Sequence, residues 1–155
     1  MIKKRTVRNM QNVRVKKIRP GAILPGYGSE YAAGADLYAC LEEDAVIAPH
    51  ETLMIPTGLC MEIPEGYGGF VYARSGIASK RGLAPANKVG VIDSDYRGEV
   101  TVALHNHSDA PETVGKNERI AQLVIAPFLK VEFTESEDLT DTDRGTGGFG
   151  STGKF

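Results

Sequence analysis

Eighteen glycines and eight prolines are scattered along 155 residues, and this punctuation leaves little room for a long helix. Each interior Gly costs a helix about 1 kcal/mol relative to Ala and each Pro about 3 kcal/mol. The chain is therefore expected to be all-β, built from short strands joined by turns. Alternation of apolar and polar residues with β-branched side chains marks strands at residues 13–18, 53–57, 100–104 and 131–133, with further strands at 70–73 and 123–126. Turn signals stand between them at Pro25-Gly26, Pro56-Thr57-Gly58, Pro64-Glu65-Gly66, Arg97-Gly98 and Ser108-Asp109. This spacing suits a sandwich, jelly roll or barrel. One short helix is expected, beginning near Ser75 as N-cap and ending before Gly82.

The length fits one domain with its own core, and 41% hydrophobic against 25% charged residues is ordinary globular usage. No apolar run approaches the ~20 residues that span a bilayer, and no apolar stretch follows the basic N-terminus as a secretory signal requires. The expectation is a cytoplasmic protein without membrane contact. Cys40 and Cys60 form no close pair and read as core thiols. The net charge of −2 hides a basic start, with eight Lys and Arg and no acid before Glu30. That start could bind a polyanion. The favoured reading is a charged edge strand with Val13 and Val15 inward and Arg14 and Lys16 in water, without stable nucleic-acid binding.

From about Thr134 the chain turns polar and acidic and ends in a Gly-rich arm. Within it, residues 145–150 match G-x-G-x-x-G and residues 148–154 match most of a P-loop, but both mechanisms need a strand before the glycines and a helix after them. Phe155 occupies the position where a P-loop needs Ser or Thr. What remains is Arg144 as a bidentate phosphate clamp, Phe149 as a stacking surface and glycines that let backbone approach a ligand.

Three further segments carry polar chemistry. Arg74-Ser75-Gly76 lies where a strand turns into the short helix, a geometry that suits an anion or a plain helix start. The stretch from Asn87 to Gly98 holds Asp93 and Asp95, which would share a face if they lie in a strand; paired carboxylates can bind metal or orient and deprotonate a water, and they can equally cap a polar turn. Arg119-Ile120-Ala121-Gln122 precedes an apolar strand. His105 and His107 have metal-compatible spacing but no clear third ligand, and solvated histidines are the favoured reading.

Taken in order, Ala33-Gly34-Ala35-Asp36-Leu37-Tyr38-Ala39, Arg74-Ser75-Gly76-Ile77-Ala78, the run from Gly90 to Gly98, Arg119 to Leu123, and Arg144 to Gly153 resemble the motifs of the trimeric dUTPase family. The resemblance implies a jelly-roll-like β-barrel over residues 11–133, a basic extension over 1–10, and a flexible arm over 134–155. It also implies a homotrimer in which that arm closes over a neighbour's active site. The implied reaction is hydrolysis of dUTP to dUMP and pyrophosphate by in-line attack of water on the α-phosphate. Its role would be to limit uracil incorporation into DNA and to supply dUMP for dTMP synthesis.

By the same resemblance Asp93 holds and deprotonates the attacking water. Tyr96 packs against the deoxyribose and excludes a 2′-hydroxyl. Asn87 and the backbone of Gly90, Val91 and Ile92 pair with uracil. Arg74, Ser75, Gly76 and Gln122 contact the phosphates, Arg144 clamps the γ-phosphate, and Phe149, with Gly150 beside it, covers the base. Mg²⁺ sits on phosphate oxygens and waters, with Asp36 touching it through water. Ala73 stands where the family often has proline, and Lys116-Asn117-Glu118 replaces a usual Gly-Asp, departures that affect loop geometry alone. The alternatives are a dCTP deaminase of the same fold, which usually lacks such an arm, and a nucleotide-binding regulator without turnover.

Overall fold

The structure, a computed structural model, describes residues 11–149. Eleven strands and one helix follow in order: β1 (Arg14–Lys17), β2 (Gly26–Tyr27), β3 (Ala35–Tyr38), β4 (Ala45–Ile47), β5 (Thr52–Glu62), β6 (Tyr67–Tyr72), α1 (Ser75–Arg81), β7 (Leu83–Pro85), β8 (Gly90–Ile92), β9 (Glu99–Asn106), β10 (Glu112–Val114) and β11 (Arg119–Pro127). They form a four-stranded sheet in the order β1-β5-β9-β7, a five-stranded sheet in the order β2-β3-β11-β6-β8, and the pair β10-β4. Every pairing is antiparallel. The fold is all-β and jelly-roll-like.

The alternation read from the sequence is clearest in β9, where Val100, Val102, Leu104 and Asn106 are buried and the residues between them half-buried. Leu37, Ile55, Leu59, Leu83, Leu104 and Ile120 form the core between the sheets, each at most 1% exposed. Asn106, a buried amide, is satisfied on both sides. Its Nδ2 donates to the carbonyls of Ile47 (3.0 Å) and Ala110 (2.8 Å), and its Oδ1 accepts from the Ser108 backbone (2.9 Å) and hydroxyl (2.8 Å). This amide fixes the turn between β9 and β10.

β1 lies at the edge of its sheet with Val13 and Val15 packed on the core and Arg14 and Lys16 exposed. Cys40 is half-buried against the core, while Cys60 is half-buried on β5. Besides Pro25-Gly26, where Gly26 begins β2 instead of forming a turn, three local expectations change. Pro56-Thr57-Gly58 is no turn, because β5 runs through it with a register shift between Pro56 and Cys60. The displaced backbone finds other partners: Cys40 N–H donates to Pro56 O, Ile18 N–H to Gly58 O and Gly58 N–H to Glu99 Oε1.

The second change concerns residues 131–133, which are not a strand. The chain leaves the sheet after Pro127, and Val131 and Phe133 are 51% and 93% exposed. Alternation alone does not make a strand without a neighbour to pair with. The third is the helix start, where Arg74 rather than Ser75 is the N-cap, with φ −88° and ψ 128°, and no side chain caps it. Gly82 ends the helix in the left-handed region at φ 67°, as expected of a C-terminal glycine.

Gly58 combines φ +70° with a neighbour, the Ala22 methyl, that would lie 2.8 Å from any added Cβ. Gly58→Ala is expected to destabilise the fold by about 1–3 kcal/mol, read as a lower midpoint in urea. An unchanged midpoint would show that the bulge tolerates a side chain.

Candidate functional site

The hairpin-like segment between β7 and β9 builds one wall of a cleft of about 390 Å³. It is lined by Asn87, Gly90, Val91, Ile92, Asp93 and Tyr96, with Met54, Val71, Pro85 and Thr101 among its other lining residues. Asp93 follows the end of β8 and opens a turn that Tyr96 N–H closes onto Asp93 O at 3.1 Å. Asp93 and Asp95 therefore do not sit in a strand, and only Asp93 lines this cleft. Among the described residues no side chain pairs with the Asp93 carboxylate, whereas Arg97 braces the same turn by donating to the carbonyls of Ser94 (2.6 Å) and Tyr96 (3.0 Å).

Two glycines shape this wall. A Cβ on Gly98 would stand 2.3 Å from the Tyr96 hydroxyl and 2.5 Å from the ring carbon bearing it. The ring lies over Gly98, and its hydroxyl donates to Glu99 O at 3.1 Å. Gly90 is buried, with Val71 3.2 Å and the Asn87 amide 3.3 Å from where its Cβ would be, so β8 pairs with β6 at the close distance that leaves Asn87 facing the cleft.

A second, smaller concavity of about 210 Å³ is lined by Gly28, Ala32, Gly34, Asp36, Arg74, Ser75, Gly76, Arg119 and Gln122. At its floor Asp36 is 9% exposed. Its Oδ1 accepts from Arg74 Nε at 2.7 Å and its Oδ2 from Arg119 Nη1 at 3.2 Å, while Arg74 also reaches the Arg119 carbonyl at 3.3 Å. Two guanidiniums against one carboxylate leave a net positive cradle. Gln122 donates to Ala73 O at 2.8 Å and lies against Gly34, where a Cβ would meet its Oε1 at 2.5 Å. In α1 the first intrahelical donor is Ala78 N–H to Arg74 O, so the amides of Ser75 and Gly76 point outward without helical acceptors.

Cleft and cradle share no residue. The structure thus sorts the site residues expected from sequence into two groups within one chain. Asn87, Gly90, Val91, Ile92, Asp93 and Tyr96 form one, and Asp36, Arg74, Ser75, Gly76 and Gln122 the other. Arg144 and Phe149 line neither. Arg144 Nε donates to Gly147 O at 2.7 Å, and Phe149 is fully exposed with φ +48°. Gly150 lies outside the described residues. Sequence reasoning missed Arg119, although it opens a segment already singled out, and Gly34 and Gly98, whose role is the space they leave. Met54 and Thr101, which also line the cleft, carry no signal that could have found them.

The three histidines gather elsewhere. His105 and His107 meet edge to face with centroids 4.4 Å apart, Thr52 bonds His105 Nδ1 and Asp109 bonds His50 Nε2, each at 2.9 Å. Slight desolvation, and then the charges of His105, Lys88 and His50, hold the exposed His107 below the ordinary histidine value.

The fold and its paired concavities define a jelly-roll-like β protein with one apolar cleft bearing a carboxylate and one cationic cradle. Residues 21–153 match the family model described as dUTPase. A deoxyuridine 5′-triphosphate nucleotidohydrolase of Hydrogenobaculum sp. (strain Y04AAS1) is 49% identical over 139 residues, 90% of this chain and 96% of that one. One from Desulfitobacterium hafniense (strain DSM 10664 / DCB-2) is 53% identical over 131 residues, 84% and 87% of the two chains. The structure of Staphylococcus bacteriophage 80alpha dUTPase with dUpNHpp matches with a TM-score of 0.84 at 30% identity, covering 93% of this chain and 99% of that chain. A dUTPase variant from phage phi11 of S. aureus, described as revealing the coordination of a structural Mg(II) ion, matches with a TM-score of 0.73 at 27% identity over 83% and 98%. The chain belongs to the dUTPase family.

At the rim of the cleft, Arg19 holds Glu99 by two hydrogen bonds, of 2.7 and 2.8 Å. These bonds, opposed by partial burial and assisted by Gly58 N–H, lower the Glu99 pKa from its ordinary value. A carboxylate lowered on folding contributes stability above its unfolded pKa and loses it as pH falls through the folded value. Glu99→Gln should therefore lower the urea midpoint at about pH 7, and the difference from the parent should shrink as pH falls through the lowered Glu99 pKa. A gap that persists in acid would mean the glutamate acts through packing.

Proposed function

We propose that this chain hydrolyses dUTP to dUMP and pyrophosphate, and that it does so as a homotrimer in the cytoplasm. The observation that carries the reading is the separation within one chain of an apolar cleft holding Asp93 from a cationic cradle sized for phosphates. A substrate with a base at one end and a triphosphate at the other needs both. A threefold assembly would set the cradle of one subunit against the cleft of the next. Residues 11–133 would form the barrel, 1–10 an extension, and 134–155 an arm that carries Arg144, Phe149 and Gly150 to a neighbouring site. Phe149, fully exposed here, would gain a base to stack on, offsetting the entropy of ordering the arm.

In the cleft, Asn87 and the backbone of Gly90, Val91 and Ile92 would meet the hydrogen-bonding edge of uracil. The Tyr96 ring would fill the space that a 2′-hydroxyl needs. Asp93, free of side-chain partners among the described residues, would orient a water in line with the α-phosphorus. The water oxygen forms the new P–O bond as the bond to the bridging α–β oxygen breaks; Asp93 takes the proton and pyrophosphate departs with the electron pair. Arg74, Ser75, Gly76 and Gln122 would hold the phosphate oxygens, with Arg144 on the γ-phosphate.

Mg²⁺ fits this donor set as a partly hydrated ion. Among the described residues no group of three or more His, Cys, Asp or Glu converges as a cage. Each Asp36 oxygen receives one guanidinium bond, which leaves lone pairs for metal-bound water. When bound, the ion would neutralise phosphate charge.

The test is pyrophosphate release from dUTP, dCTP, dTTP and UTP with Mg²⁺, with ammonia followed alongside. Pyrophosphate from dUTP alone is expected. Ammonia from dCTP would assign the deaminase chemistry instead, and binding without turnover would assign a regulator. Asp93→Asn should keep dUTP affinity within about threefold while kcat falls by at least about a hundredfold; unchanged turnover would remove Asp93 from the chemistry.

A further inference from the structure

Arg81, at the far end of α1, lines neither concavity, yet it is the most heavily bonded cation among the described residues outside the cradle. Its Nε donates to Glu112 Oε2 at 2.7 Å, its Nη1 to Glu118 Oε1 at 2.5 Å and its Nη2 to the Thr113 carbonyl. About a quarter of each ionic side chain is exposed, so the pairs are only partly screened. Glu118 is itself fixed, since its Oε2 accepts from Gly115 N–H at 2.8 Å and its carbonyl from Ala39 N–H at 2.8 Å.

These contacts close a ring. Arg81 binds Glu118, which immediately precedes Arg119; Arg119 binds Asp36; Asp36 binds Arg74; and Arg74 caps the helix that ends at Arg81. A helix of seven residues has little stability of its own, because isolated helices below about 12–15 residues are marginal. Ile77 anchors its middle in the core, and its tilt about that anchor is set by what holds its two ends. Asp36 holds the first end and the Arg81 contacts hold the second, about 9 Å away at 1.5 Å rise per residue.

We infer that Arg81, through Glu118 and Glu112, is a positioning residue for the cradle: it fixes the tilt of α1 and so the placement of Ser75 and Gly76 against the phosphates. The inference rests on the dUTP reading above. Arginine's planar guanidinium presents donors in three fixed, well-separated directions, a spread that the compact lysine ammonium does not reproduce, so lysine should substitute in part.

The test measures affinity for dUpNHpp with Mg²⁺, affinity for deoxyuridine, and kcat and KM for dUTP, on the full chain. Arg81→Met should weaken dUpNHpp by about tenfold while deoxyuridine, which addresses only the cleft, stays within about twofold. Arg81→Lys should recover part of the loss. Combining Arg81→Met with Glu118→Gln should cost no more than Arg81→Met alone, as expected of one coupled device. Unchanged dUpNHpp affinity in Arg81→Met would overturn the inference, and so would a parallel loss of both ligands, which marks general loosening of the fold. A parent chain that binds neither ligand and leaves dUTP intact would instead remove the functional reading, and this inference with it, before any variant is compared.

Discussion

The contact on which the cationic half of the site depends is the Asp36 carboxylate between Arg74 and Arg119. Two guanidiniums in one small concavity repel each other, and without a counter-charge at the floor neither would keep its direction. Asp36 sits on β3, Arg119 at the start of β11, and Arg74 between β6 and α1. A single carboxylate thus ties together three segments far apart in sequence. Its low exposure matters, because a partly buried pair is screened less by solvent and salt than a surface pair. The stabilisation is best seen as geometric. Buried charges cost desolvation, and what this group secures is the direction of the cations toward the open side of the cradle.

The apolar cleft follows a different rule, in which missing atoms do the shaping. Gly90 lets β8 close on Val71, and Gly98 leaves the space that the Tyr96 ring occupies. Each removes a methyl group where a side chain would push a wall outward. The cradle uses the same device once, at Gly34 beneath Gln122. Rigid β-pairing on β6, β8 and β11 supplies the frame, and Asp93 and Tyr96 stand on the turn segment that leaves it.

The sequence was most legible where period and punctuation agree. The alternation in β9, the edge character of β1, the turn at Pro64 and the helix ending at Gly82 all appear where those signals stand. It misled where one local signal competes with tertiary pairing. Pro56-Thr57-Gly58 has turn composition, but long strand contacts on both sides absorb it as a bulge. Residues 131–133 alternate, yet have no strand beside them. For the candidate site, the motifs pick out polar residues that the structure places in two concavities, and that division into two separate groups was not legible. That division depends on which end of which sheet each turn leaves, and turn composition does not encode it.

The exposure of the cleft wall bears on the proposed assembly. Met54, Val91 and Tyr96 are 60%, 64% and 46% exposed, a cluster of apolar surface beside an unpaired carboxylate. Left in water such a surface is costly at roughly 25 cal/mol per Å², and soluble proteins keep it where something covers it. A base, a sugar and a neighbouring subunit are the covers that the proposed trimer would provide together. Covering this wall would also exclude water from Asp93 except for the molecule held in line, and the carboxylate would then act at lower local dielectric. Assembly and chemistry would be coupled through the same apolar wall, which makes the separation of cleft and cradle within one chain a feature of the mechanism.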